Sequence, residues 1–226
     1  MKNTSTYIVV CPHCGVTKRV AFTDSPWYEE RFLLWSDGRL DIPGRCEPAW
    51  TQRCPSCKHF FILPPKSTLR VDNVPSNDTG KLPLSILKQA VVELSGDEAA
   101  EMRARLDAWW AYNELYNDMS DGDIPAEEKE YNRANMQQLL NYYLKQEPSP
   151  YTLIFELMRL LGQIEEYQEL LDSITYEVFA AWRHERHQEN LVNTIDVELV
   201  ERQLYRRFVE EKRRAIERPR KVYLIQ

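Results

Sequence analysis

An α+β chain is predicted, a small β-rich N-terminal domain followed by an all-α domain, from three features of the sequence. Short β-branched and aromatic runs recur between residues 6 and 63, and the apolar spacing changes to the helical period beyond residue 83. A proline-rich polar stretch separates the two. The boundaries this implies are 1–69 for the β domain, 70–83 for a linker and 84–226 for the helical domain.

The elements follow in order. Thr6–Val10 and Val20–Phe22 read as strands, and so does His59–Leu63. Leu33 to Leu40 reads as a hairpin around an Asp37-Gly38 turn. From Pro64 to Pro83 the chain is a connector, punctuated by Pro64-Pro65 and by Pro75 to Gly80. Ser95-Gly96-Asp97-Glu98 has a capping-box pattern, after which Met102, Leu106, Trp109 and Tyr116 share one helix face. Pro125 suits a helix start, with Met136, Leu139, Leu140 and Tyr143 on the buried side. Pro148 stops that helix and Ser149-Pro150 begins another, with Leu153, Ile154, Leu157 and Leu161 inward and Gly162 at its end. Ile164, Tyr167, Leu171, Ile174, Val178 and Trp182 continue an apolar stripe. A last helix is expected from Asp196 to Glu217, ended by Pro219, and Lys221–Ile225 reads as a short strand or docking tail.

Composition excludes several classes. The chain has 226 residues and is 43% hydrophobic, enough for a core, so it is not disordered throughout. No window approaches the roughly 18 to 20 apolar residues of a membrane helix, so no membrane association is expected. The N-terminal residues lack an apolar run ending in a cleavage site, and the expected location is cytoplasmic. Only 7 glycines occur, and neither GxxxxGK[ST] nor GxGxxG is present. The net charge of −6 is unevenly distributed: residues 81–201 carry −14, while residues 202–226, with 9 Lys/Arg against 3 Asp/Glu, carry +6. That tail, including Arg206, Arg207, Lys212, Arg213, Arg214, Arg218, Arg220 and Lys221, is the one segment suited to a polyanion. Neutralisation of the acidic body is its other reading.

Four of the five cysteines form two Cys-x-x-Cys pairs, Cys11-Pro12-His13-Cys14-Gly15 and Cys54-Pro55-Ser56-Cys57-Lys58. Two intervening residues let a tight turn aim both sulfurs at one ion, and proline stiffens that turn. Cysteines 11, 14, 54 and 57 are therefore the expected ligands of one metal ion. Zn2+ leads because it suits tetrahedral sulfur and needs no redox partner, and iron fits the same ligands. Four thiolates leave no open position for water, so the ion is expected to be structural and not catalytic. Cys46 reads as a small apolar residue, and His13 and His59 as groups outside the shell. A β piece of this size buries little surface, so the metal is expected to hold it folded.

The two CPxC knuckles, Cys11-Pro12-His13-Cys14 and Cys54-Pro55-Ser56-Cys57, resemble those of zinc-ribbon proteins. Trp35-Ser36-Asp37-Gly38-Arg39 with Arg53-Cys54-Pro55-Ser56-Cys57-Lys58-His59-Phe60-Phe61-Ile62-Leu63-Pro64 resembles the start of a set of uncharacterised bacterial proteins. The resemblance spans about residues 7–65. It implies a β zinc ribbon with the four paired cysteines as ligands, and no activity. The 39 residues between the pairs exceed the usual ribbon spacing, which implies an insertion on one hairpin. Leu161 to Tyr167, preceded by Pro148, resembles the turn of a tetratricopeptide (TPR) repeat. An irregular helical bundle and TPR-like hairpins are thus both expectations for the second domain.

Other constellations read as structure. His184 and His187 share a helix face but lack a third ligand, and Asp121-Gly122-Asp123 is a turn without the rest of a calcium loop. Trp109, Trp110, Tyr112 and Tyr116 have core spacing. No serine or cysteine stands in a recognisable catalytic setting. The expected function is that of a non-enzymatic zinc-binding interaction or adaptor protein with a protein partner. The alternatives are nucleic-acid binding through the basic C-terminal segment, and an enzyme whose site is dispersed along the sequence.

Overall fold

β1 (Asn3–Val10) and β2 (Thr17–Asp24) form an antiparallel hairpin whose tip is the first knuckle, with Val10 opposite Thr17. A computed structural model describes residues 3–24, 33–35, 40–41, 50–64, 68–72, 80–147, 150–186, 197–217 and 224–225. Cys46, the Asp37-Gly38 turn, Pro65, Pro75, Pro148, Ser149, His187, Asp196 and Pro219 lie outside the described residues. So do Arg218, Arg220 and Lys221 and the side chains of Trp182 and His184.

A short pair, β3 (Leu33–Trp35) and β4 (Leu40–Asp41), is antiparallel with Leu33 opposite Asp41 and Leu34 opposite Leu40. β5 (Thr51–Arg53) and β6 (Phe60–Ile62) make the hairpin that carries the second knuckle, with Arg53 opposite Phe60. β7 (Arg70–Asp72) falls where the sequence suggested connector, and it pairs with β1, Tyr7 opposite Val71. Its ionic tie is Arg19 Nε to Asp72 Oδ2 at 2.6 Å. Seven α-helices follow among the described residues. They are α1 (Leu84–Glu93), α2 (Glu98–Tyr116), α3 (Ala126–Tyr143), α4 (Tyr151–Leu161), α5 (Ile164–Ser173), α6 (Tyr176–Arg186) and α7 (Val197–Ala215). β8 (Leu224–Ile225) adds to β3, so these two residues of the expected tail form a strand, while residues 221–223 lie outside the described residues. The protein is a mixed α+β chain of small antiparallel sheets and helices.

The chain divides into two units, Met1–Asn135 with Tyr223–Gln226, and Met136–Val222. In the first unit the sheets and helices share packing. Tyr7, Val9, Val20, Phe61 and Leu63 bury together with Cys11 and Cys54, so the two hairpins lie against each other beside the knuckles. Phe60 on the other face packs with Ala90, Val91 and Ala104 of α1 and α2. Both outer edges of the β5–β6 hairpin meet a helix carboxylate. The Thr51 backbone N–H donates to Asp107 Oδ2 at 2.7 Å, and the Phe60 N–H to Glu93 Oε1 at 3.0 Å. Each bond satisfies an amide the two-stranded pair leaves over. Burial pushes the Asp107 carboxyl above the usual carboxylate range, and the hydrogen bonds from Thr51 and the charge of Arg103 oppose that push without cancelling it. Lys88 ties α1 to α3, placing Nζ 2.7 Å from Glu128 Oε1 and 4.4 Å from the Tyr131 ring centre.

Gln52 is fully buried and accepts a 3.0 Å hydrogen bond from Lys18 Nζ, which links the second hairpin to the first. Gly80 closes over it. Its φ of +64° is left-handed, and a Cβ there would collide with the Gln52 amide.

In α2, Met102, Leu106 and Trp109 are buried as the spacing predicts, and Trp109 and Tyr112 are core residues. The cap differs from the expectation: Asp97, not Ser95, accepts the Ala100 N–H, at 3.1 Å. The Ser95 hydroxyl donates back to the Val92 carbonyl instead.

The second unit has an aromatic core. The Phe155 ring lies 4.7 Å from that of Tyr167 and 5.9 Å from that of Phe208, and Phe179 lies 5.2 Å from Phe208. The Tyr167 hydroxyl donates to the Lys212 carbonyl at 2.7 Å. α4 ends at Gly162 in the left-handed conformation, as expected. Its central turns are buried all round, so Glu156 and Arg159 join Ile154 and Leu157 inside, where they form a two-pronged ion pair at 2.8 and 2.9 Å. The expected inward Leu153 and Leu161 are only half-buried. The stripe from Ile164 to Trp182 is interrupted at Ile174, whose backbone is extended, and α6 begins a new phase after Thr175. Phe179 therefore takes the buried position, and Val178 is exposed.

Gly80→Ala is expected to lower stability by about 1–3 kcal/mol, since alanine disfavours the positive φ and overlaps Gln52, measured by urea unfolding. For Asp107 the sign follows from its raised folded-state pKa. The folded chain holds the proton more tightly, so the charge weakens the fold as pH rises from the unfolded value near 3.8. The stability of the native chain relative to Asp107→Asn is expected to fall over that rise. Paired urea midpoints at successive pH values check this, because the acid lability common to both chains cancels.

Candidate metal centre

The two knuckles are built alike. In the first, the Gly15 N–H donates to the Cys11 carbonyl at 3.0 Å and the Cys11 N–H to the Val16 carbonyl at 2.9 Å. In the second, the Lys58 N–H donates to the Cys54 carbonyl at 3.2 Å and the Cys54 N–H to the His59 carbonyl at 2.9 Å. The fifth residue of each turn is left-handed, Gly15 at φ +73° and Lys58 at +66°. Glycine takes that conformation without cost, whereas a lysine in it is strained by about 1 kcal/mol or more. Lys58 is held there by its own side chain, whose Nζ donates to the Pro55 carbonyl at 2.5 Å, and by Arg53 Nε, which donates to the Lys58 carbonyl at 3.2 Å.

Stacking of the hairpins brings the turns together. The sulfurs of Cys11, Cys14, Cys54 and Cys57 all lie within 4.8 Å of one another. Cys11 Sγ is 3.7 Å from Cys57 Sγ and Cys14 Sγ is 3.6 Å from Cys54 Sγ, both across the knuckles. An ion with metal–sulfur bonds of about 2.3 Å sets tetrahedral sulfurs about 3.8 Å apart. The arrangement therefore fits one four-coordinate ion, and it is the single such cluster of three or more candidate ligands among the described residues.

Its surroundings are graded. Cys11 and Cys54 are buried, Cys57 is half-buried and Cys14 is exposed. The imidazoles of His13 and His59 stack on each other outside the shell, ring centres 4.9 Å apart, and His13 Nε2 donates to the Phe60 carbonyl at 3.3 Å. Neither joins the sulfur cluster, in keeping with the sequence reading.

The thiols compete for charge. At Cys54 desolvation favours the neutral form, yet N–H groups of Cys57 and Ser56 and the neighbouring thiols outweigh it, leaving the pKa lowered to about 6. At Cys57 the His59 N–H favours the thiolate, but desolvation and the other three cysteines push it up to about 12. One thiolate thus keeps the next proton in place. A bound cation reverses this and holds all the sulfurs deprotonated.

Sequence reasoning placed all four sulfurs but not what supports them. Asp107 and Glu93 at the hairpin edges lie in helices far along the chain, and Gln52 has no apolar pattern to mark it as core. Comparison of the chain with protein-family models, with curated proteins and with solved structures returns no match.

Metal binding at neutral pH is expected to release the Cys57 proton, so affinity falls on acidification. Calorimetric titration in buffers of different ionisation enthalpy measures the protons released, and a count below one would contradict the arrangement. Lys58→Gly is expected to raise stability by roughly 0.5–1 kcal/mol by relieving the left-handed lysine, read from the thermal midpoint of the metal-loaded chain.

Proposed function

We propose that the chain is a non-enzymatic zinc protein in which a structural four-thiolate zinc site fixes a surface for a protein partner. The convergence of Cys11, Cys14, Cys54 and Cys57 to within 4.8 Å carries this reading. Four sulfurs fill a tetrahedral shell and leave no site for substrate or activated water. Zinc is favoured over iron because the cluster needs no redox partner and a tetrahedral sulfur set is its usual structural environment. The two CPxC knuckles at the tips of two hairpins are what a zinc ribbon requires. The α4–α5 hairpin, closed by left-handed Gly162, supports a TPR-like helical element that presents a face to another protein.

Exposed apolar residues on or next to the strands that carry or flank the knuckles support a binding role. Val10 and Val71 are each 57% exposed, and Trp50, on whose ring Arg103 stacks at 4.1 Å, is 38% exposed. The nucleic-acid reading rests on the cations of α7. Among them Lys212 is buried, Arg213 lies 3.7 Å from Asp172 and Arg214 lies 3.8 Å from Glu210, while Arg206 and Arg207 are exposed. Partner binding is therefore the primary reading.

Elemental analysis of the purified chain is expected to find about one zinc per chain, lost in Cys11→Ser and Cys57→Ser. Chelation is expected to abolish hydrogen-exchange protection in β1, β2, β5 and β6, since structural zinc supplies about 10–16 kcal/mol in small domains. A metal-free chain with those strands fully protected would overturn the structural role. Binding of a native-cell partner that is lost on chelation and insensitive to salt supports the adaptor reading. Salt-sensitive retention on heparin favours the polyanion alternative.

A further inference from the structure

The four cysteines are not equally exposed. Cys11 is 3% exposed and Cys54 is 1% exposed, with Cys57 intermediate, whereas Cys14 is exposed at the tip of its turn. The flanking residues Pro12, His13 and Gly15 are themselves exposed and do not cover it. A metal-bound thiolate keeps nucleophilic character, and oxidation of cysteine follows thiolate character and access. Cys14 Sγ also has a second sulfur at hand, Cys54 Sγ at 3.6 Å, and the remaining two, Cys11 and Cys57, form a matching pair at 3.7 Å.

We propose that Cys14 is a peroxide-modification site, through which a hydroperoxide ejects the metal and links the two knuckles by disulfides. This rests on the reading that the four thiolates hold zinc. The Cys14 thiolate attacks one oxygen of the peroxide, an S–O bond forms and the O–O bond breaks. Sulfur is oxidised by two electrons to the sulfenic acid, and the other oxygen leaves as hydroxide, or as an alcohol from an organic peroxide, taking a proton from water. The Cys54 thiolate then attacks the Cys14 sulfur. An S–S bond forms, the S–O bond breaks and hydroxide departs, protonated to water. Two ligands are lost, and zinc leaves. A second peroxide does the same to Cys11 and Cys57, so two peroxides yield two disulfides and one zinc ion. Because both linkages run between hairpins, the oxidised form keeps the hairpins joined without the ion, and a thiol reductant with zinc restores the starting state.

The test begins with the reduced full-length chain and its zinc content. If no zinc is bound, the zinc reading fails and this inference falls with it. With about one zinc bound, hydrogen peroxide is added with a zinc-sensitive dye and with dimedone to trap sulfenic acid. The expected result is release of zinc with about two equivalents of peroxide and a dimedone adduct on Cys14 ahead of the other cysteines. Without dimedone, tryptic peptides Asn3–Lys18 and Cys54–Lys58 should be joined under non-reducing conditions. Iodoacetamide on the unoxidised zinc-loaded chain should alkylate Cys14 at least about tenfold faster than Cys11, which needs no variant that risks misfolding. Zinc retained in excess peroxide, first modification at Cys11, Cys54 or Cys57, or disulfides confined within each peptide would overturn the proposal while leaving the zinc site intact.

Discussion

A single ion could be shared by four sulfurs only if both turns arrive at the same point, and the packing of the first unit brings them there. Cys11 and Cys54 belong at once to the sulfur cluster and to the apolar core of Tyr7, Val9, Val20, Phe61 and Leu63. An ion bound there would draw on the same two residues as the packing. Two isolated two-stranded hairpins are marginal in water, and here each supplies half of a site that neither completes alone.

Polar groups then fix how the paired hairpins sit against the helices. Apolar contact between Phe60 and Ala90, Val91 and Ala104 has no strong preference for register. The carboxylates of Asp107 and Glu93, each directed at one amide, do have one. Gln52 acts similarly between hairpins, held by Lys18 on one side and covered by Gly80 on the other. Burial of Asp107 raises its pKa, and the hydrogen bonds of Asp107, Glu93 and Gln52 favour one arrangement of the assembly.

The four clustered cysteines, the α+β class, the first hairpin and most of the helix faces were legible in the sequence because each leaves a local mark. CPxC turns, alternating β-branched residues and a 3.6-residue apolar period need no knowledge of the rest of the chain. What escaped depends on contacts distant in sequence. β5 is Thr51-Gln52-Arg53, with no apolar alternation, because its buried glutamine is satisfied by Lys18, 34 residues earlier. β7 sits in a polar stretch and is a strand through its pairing with β1. The buried Glu156–Arg159 pair reads as a solvated helix face until each neutralises the other inside the core. The break at Ile174 is hidden because its flanking helices both continue the apolar stripe in sequence.

The two carboxylates at the margins of the β5–β6 hairpin have a consequence beyond the folded monomer. An unshielded ribbon offers its spare amides to any extended segment that drifts by, and repeated addition of that kind is how fibrils grow. Asp107 and Glu93 already accept from one such amide on each margin, so an incoming strand finds a carboxyl group seated where it needs a free N–H. The same bonds that bring helix side chains to the hairpin thus shield one amide on each of its margins from a neighbouring chain.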